Sequence, residues 1–134
     1  MVARSERVRE GTRHELHVAL RLTELGGVVA WPMGDGAPWD LAVDFGGKFS
    51  RLQVKGTDTE KNRGYRVSLA AGNNHHRLYT AAETEFIVAV TPIGDYVIPV
   101  DKIDRDRLIT WTGGRRKGNL PYYDRFKEAW NLLQ

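Results

Sequence analysis

Three polar side chains stand in two adjacent segments patterned as strands: Asp40 in 39–45, and Gln53 and Lys55 in 49–55. Gly46-Gly47 separates the segments and suits a tight two-residue hairpin turn. Such a loop sets Phe45 opposite Lys48, and counting outward sets Asp40 directly opposite Gln53, with Lys55 as the diagonal neighbour. Side chains alternate along a strand, so Trp39, Leu41, Val43 and Phe45 share an apolar face with Leu52 and Val54. Asp40, Ala42 and Asp44 share the other face with Arg51, Gln53 and Lys55. A carboxylate, an amide oxygen and an ammonium group then converge within roughly 5 to 8 Å between Cβ atoms.

A second carboxylate belongs with them. Ser5 can cap a helix that runs to about residue 25, where Gly26-Gly27 stops it. At about 100° per residue, Val8, Leu16, Val18, Ala19, Leu22 and Leu25 fall on one broad arc, and Glu6, Arg9, Glu10, Arg13, His17, Arg21 and Glu24 fall opposite. Glu15 sits within the apolar arc, so it requires a metal ion, a lysine or a hydrogen-bond donor on the surface beneath it. Gly11, one turn earlier, lets the helix approach that surface closely. The simplest account is one cation site built from Glu15, Asp40 and the Gln53 amide oxygen, with Lys55 beside it. Hard oxygen ligands without imidazole or thiolate suit Mg²⁺, with Mn²⁺ as a substitute. The set fits phosphodiester hydrolysis, in which the cation activates water and Lys55 orients the nucleophile or stabilises developing charge.

The remaining elements follow from periodicity. Strands are predicted at 28–31, 65–70, 85–91 and 96–100, a weak short helix at 74–82, and a helix from Pro121 to the end, where Tyr122, Phe126, Ala129, Trp130 and Leu133 recur at helical spacing. Helix, run of strands, helix makes an α+β or mixed α/β fold with a largely antiparallel sheet, and the absence of repeats or linkers makes the 134 residues one domain.

Composition narrows the chemistry. The chain has no cysteine, which excludes disulfides, zinc-thiolate and iron-sulfur sites and thiol nucleophiles. No stretch is apolar enough to span a membrane and the N-terminal region has no signal-like apolar core, so a soluble intracellular (cytoplasmic) protein is expected. A net charge of +3 and a pI near 9.3 are compatible with a nucleic-acid partner. Two basic clusters are candidate DNA contacts: Arg115, Arg116 and Lys117 in a glycine-flanked loop, and His75, His76 and Arg77. The glycine-rich turns match no phosphate-binding or dinucleotide fingerprint, so no nucleotide cofactor is expected. Asp44, Glu10 and Asp35 read as solvated or turn residues, His14 and His17 lack the partner a zinc site needs, and Trp31, Trp111 and Trp130 read as core or dimer-interface residues.

Pro38-Trp39-Asp40, followed after the glycine turn by Gln53-Val54-Lys55, resembles the PD-(D/E)XK nuclease motif, and Gly11 to Glu15 resembles that superfamily's helix-one glutamate segment. Within it the chain is most similar to archaeal-type Holliday junction resolvases, which phages also encode. The resemblance implies a restriction-endonuclease-like fold, a mixed and largely antiparallel sheet flanked by helices. It also implies Glu15, Asp40 and Gln53 as metal ligands, Lys55 as the catalytic lysine, and a homodimer nicking four-way DNA junctions in pairs with Mg²⁺. Two departures stand out: Trp39 interrupts the usual Pro-Asp pair, and Gln53 replaces an acidic residue. A group of intron-encoded homing endonucleases in the superfamily also resembles this use of glutamine. A sequence-specific homing or restriction-like endonuclease, or a catalytically silent DNA-binding subunit, are therefore the alternatives.

Overall fold

The computed structural model describes residues 4–61, 64–71, 77–103, 108–111 and 120–134. Helix α1 (Arg4–Glu24) leads and closes through Gly26 N–H to the Thr23 carbonyl (3.0 Å) and Gly27 N–H to the Leu22 carbonyl (3.0 Å). The strands are β1 (Val28–Ala30), β2 (Leu41–Asp44), β3 (Phe49–Gly56), β4 (Tyr65–Ser68), β5 (Ala70–Ala71), β6 (Arg77–Leu78), β7 (Phe86–Thr91), β8 (Gly94–Pro99) and β9 (Leu108–Trp111). The central sheet runs β1-β2-β3-β7-β8. Its β3–β7 pair is parallel and its other pairs are antiparallel, while β4 pairs with β9 and β5 with β6 outside it. This is the α+β architecture that the sequence patterning predicts, and the restriction-endonuclease-like arrangement that the resemblance implies.

The β2–β3 hairpin has the expected register, with Leu41 opposite Leu52 and Asp44 opposite Phe49. Gly46 has φ 81° and Gly47 φ 154°; the Asp44 carboxylate accepts from Gly46 N–H at 2.7 Å and holds the turn. Alternation in β3 sends Leu52 and Val54 to a core with Leu41, Val43, Val88 and Val97 of the sheet and Val18, Ala19 and Leu22 of α1. Ile87, Ala89, Tyr96 and Ile98 face the other way, into a second core with Val67, Leu69, Tyr123 and Phe126. All six residues of β7 are buried, as a strand covered on both faces requires.

Three sequence expectations are corrected. The stripe of α1 that faces the sheet contains His14, Val18, Ala19 and Leu22, whereas Val8 and Leu16 are exposed at 61% and 56%. Leu16 is two residues from Val18, about 160° round the helix, and cannot share its contact. Part of 74–82 is strand β6 and a turn, not a helix. The C-terminal segment is not one helix: α2 (Leu120–Tyr123) runs into a 3-10 turn (Asp124–Phe126), Lys127 bridges to Tyr96, Glu128 takes φ 52°, and a second 3-10 turn (Trp130–Leu133) follows. The helical spacing arises because the segment passes the β8 edge and feeds both cores, Tyr123 and Phe126 into one and Ala129, Trp130 and Leu133 into the other.

The approach of α1 to β3 is set at Gly56 rather than at Gly11, which has no neighbour within 4 Å of an added Cβ. A Cβ on Gly56 would lie 2.6 Å from Nδ1 of the buried His14 ring. Gly56→Ala should therefore destabilise the fold by about 1–3 kcal/mol through overpacking. The effect should shrink in a His14→Ala background, as read by denaturant unfolding. Equal losses in the two backgrounds would show that this contact does not set the helix position.

Candidate functional site

The site begins where β2 and β3 part. Asp40 N–H still donates to the Leu52 carbonyl at 2.9 Å, but on the next rung Val54 N–H donates to Asp40 Oδ2 at 2.8 Å. A side-chain carboxylate thus replaces the backbone acceptor that β2 no longer offers, and the strands open without orphaning a donor. Burial raises the Asp40 pKa above the ordinary carboxylate value, and the Val54 N–H and the Lys55 charge act against that rise. The paired register ends at Leu41–Leu52, and Asp40, a bend residue just outside β2, bonds to the same Leu52, so the direct opposition of Asp40 and Gln53 expected from the hairpin does not form.

Glu15 enters from α1. Its pKa is also raised, first by burial and then by the charge of Asp40. Both line a cleft of about 330 Å³ together with Trp31, Pro32, Asp35 and Trp39. Trp31 is half-exposed on this wall and so is not a core residue, and Asp35 belongs to the same wall; Trp130 is a core residue.

Gln53 and Lys55 project from the opposite face of β3. Gln53 Nε2 donates to the Pro38 carbonyl at 3.2 Å and to the Tyr79 hydroxyl at 2.9 Å. The Pro38 carbonyl can only accept, which identifies the amide nitrogen and leaves Oε1 as the ligand-type atom. Lys55 Nζ stands 5.4 Å from the Tyr79 ring centroid. Tyr79 was not singled out from the sequence; it lies 26 residues from Gln53 in a loop, and no local spacing marks it.

The structure thus brings Glu15, Asp40, Gln53 and Lys55 to one end of the sheet. Other sequence candidates go elsewhere. Arg77 is exposed and pairs with Glu83 (2.6 and 3.1 Å), and that pairing, with the Thr80 N–H, pulls the Glu83 pKa down to about 2. It braces a turn. His14 is buried beside Asp58 and His17 reaches Asp95 at 2.6 Å, so the two imidazoles do not converge. His75, His76, Arg115, Arg116 and Lys117 lie outside the described residues.

Among the described residues no group of three or more His, Cys, Asp or Glu side chains could hold a metal ion. The candidate centre has two carboxylates, and its third donor is the Gln53 amide. Two carboxyl groups whose proton affinities are raised by burial, Glu15 further by the charge of Asp40, with an amide oxygen nearby, fit a hard divalent cation completed by water and substrate oxygens.

A family model described as PD-(D/E)XK endonuclease matches residues 6–111, and the chain belongs to that family. The structure of a bacterial homing endonuclease, I-Ssp6803I, aligns with 28% identity and a TM-score of 0.72, covering 92% of this chain and 87% of that one. Hjc, a Holliday junction resolvase from the archaeal hyperthermophile Archaeoglobus fulgidus, aligns with 18% identity and a TM-score of 0.62, covering 92% and 95%, a likeness of fold. No curated protein matches the sequence.

The raised carboxyls make a pH prediction. Both groups hold protons to higher pH in the fold than when unfolded, so their contribution to stability is full below the ordinary values of 3.8 and 4.5 and is lost as pH rises through the raised ones. The melting temperature of metal-free protein should carry that loss between about pH 4 and neutrality. Asp40→Asn should reduce it, and saturating Mg²⁺ should reverse it at neutral pH. Parallel wild-type and Asp40→Asn profiles would show that the Asp40 charge is not strained.

Proposed function

We propose that this chain is a metal-dependent DNA endonuclease of homing type, cutting duplex DNA at a defined target. Glu15, Asp40 and the Gln53 amide oxygen serve as metal ligands and Lys55 as the catalytic lysine. The observation that carries this reading is that Glu15 and Asp40 line one cleft, with the Asp40 charge acting on Glu15 and the Lys55 charge acting on Asp40. Mg²⁺, or Mn²⁺ in its place, would supply Lewis-acid polarisation of the scissile phosphate and charge to offset the developing oxyanion. Lys55 would donate a hydrogen bond to a phosphate oxygen or hold a proton for the attacking water. Glu15 and Asp40 would orient that water and exclude competing anions.

The homing reading stands ahead of the junction reading because the homing endonuclease shares 28% of its residues with this chain, against 18% for the resolvase. Gln53 agrees with it. The resemblance of Gly11 to Glu15 to the resolvase helix-one segment supports the second reading, paired nicking of a four-way junction. Either task cuts two strands, which a homodimer with two-fold related sites performs directly. We place the protein inside the cell, where DNA is, working as a single domain over its 134 residues.

The test incubates the protein with a random-sequence duplex library and with labelled four-way junctions, in Mg²⁺ and in EDTA. Metal-dependent cutting of a narrow set of duplexes is expected. Paired nicks in junctions of any sequence would establish the resolvase reading, and binding without cutting of either substrate would establish a silent subunit. Lys55→Ala should slow cleavage by at least about 10²-fold with DNA binding retained. Loss of folding would mean that Lys55 is structural. Neutralising Arg115, Arg116 and Lys117 should flatten the salt dependence of DNA binding by up to about one phosphate contact per charge.

A further inference from the structure

Position 53 carries an amide where the family motif has an acid, and its surroundings fit an amide. The Nε2 atom meets two oxygens, the Pro38 carbonyl at 3.2 Å and the Tyr79 hydroxyl at 2.9 Å. A carboxylate there has no proton to offer the Pro38 carbonyl. Tyr79 also places its ring 5.4 Å from Lys55 Nζ, a distance at which the ring face attracts the cation. One half-buried side chain therefore touches both members of the site that are not acids.

Tyr79 is itself tied to the strand it serves. It immediately precedes a turn in which Glu83 N–H and Thr84 N–H both donate to the Thr80 carbonyl, at 2.9 and 3.1 Å. Arg51, two residues before Gln53 on the same face of β3, donates to the carbonyls of Ala82 (2.8 Å) and Ala81 (3.0 Å) and pairs with Glu85. Thr84 Oγ1 donates to the Arg51 carbonyl at 2.9 Å, and Glu85 N–H donates to it at 3.1 Å. The turn is thus fastened to β3 next to the site, and Tyr79 leaves it with its hydroxyl on Gln53. From there its ring runs beneath Lys55.

We propose that Tyr79 is a positioning residue for the metal and lysine centre, holding the Gln53 amide by its hydroxyl so that Oε1 is turned to the metal, and seating the Lys55 ammonium on its ring. This rests on the site reading above. The two contacts separate by substitution: Tyr79→Phe removes the hydroxyl and keeps the ring, and Tyr79→Leu removes both. Loss of the hydroxyl leaves the amide held by the longer Pro38 contact alone, at 3.2 Å, and this loosening weakens metal binding and is overcome by more metal. Loss of the ring moves the lysine, which more metal does not repair.

The experiment has a metal-free arm and a metal arm. In metal-free wild type, the Gln53 side-chain NH₂ resonances, assigned by their loss in Gln53→Glu, should be shifted and slow to exchange. They should approach free-amide behaviour in Tyr79→Phe. Mn²⁺ titration by calorimetry should show affinity falling by about 10-fold in Tyr79→Phe, in the range seen when a partner of a metal ligand is removed. Cleavage at saturating metal should stay near wild type for Tyr79→Phe and fall by about 10-fold or more for Tyr79→Leu. Free-amide behaviour of Gln53 in the wild type overturns the proposal whether or not either variant folds. Unchanged Mn²⁺ affinity in Tyr79→Phe, with affinity lost in Asp40→Asn, overturns the role of Tyr79 and keeps the site. Unchanged affinity in Asp40→Asn overturns the site itself.

Discussion

The hydrogen bond from Val54 N–H to Asp40 Oδ2 is the constraint on which the rest of the site depends. A hairpin whose strands separate inside a protein leaves a ladder donor without its acceptor, and an unmet buried donor costs about 1–3 kcal/mol. Asp40 meets it with a carboxylate oxygen at 2.8 Å, and the strands can diverge at that point. The opening becomes the cleft. The same carboxylate is left partly desolvated, facing Glu15, with proton affinity raised by burial. Structural repair and cation attraction thus come from one side chain.

The chemistry collects at the end of the sheet because β3 serves two layers at once. Leu52 and Val54 anchor it to the α1 side, and Arg51, Gln53 and Lys55 face the other. Glu15 arrives from the helix layer, and the lysine and amide arrive from the opposite face. Such groups can meet only beyond the last paired rung, where no neighbouring strand stands between the faces. The parallel β3–β7 pair adds rigidity from inside, since β7 is buried along its whole length. Two of the three charged or ligating groups of the motif, Gln53 and Lys55, therefore ride on the half of β3 that pairs with β7 alone.

The parts of this arrangement that were legible in the sequence are those decided locally. Gly46-Gly47 determines the β2–β3 register by turn geometry alone, as far as the last pair, Leu41 and Leu52. Glu15 stood out as a charge within an apolar arc, which is a property of helix geometry. The misread parts are decided by distant neighbours. His14 is buried because Gly56 offers its ring a bare backbone. The C-terminal aromatics recur at helical spacing, yet Glu128 turns the chain at φ 52° so that it can serve two cores. Tyr79 has its role through a turn fastened to Arg51, a relation that exists only once β3 and the turn are side by side.

Glutamine at position 53 follows from the same opening of the strands. As β2 leaves the ladder, the Pro38 carbonyl is left facing β3 and needs a donor, and Gln53 Nε2 supplies it at 3.2 Å. An acid at this position would set negative charge against that carbonyl and add a third carboxylate to two whose proton affinities are already raised. An amide offers a hard oxygen to a cation and a donor to the backbone in one planar group. In the proposed site, two carboxylates with Lys55 beside them would leave a bound divalent cation net positive toward a phosphodiester. A third carboxylate would cancel that net charge, whereas the amide preserves it.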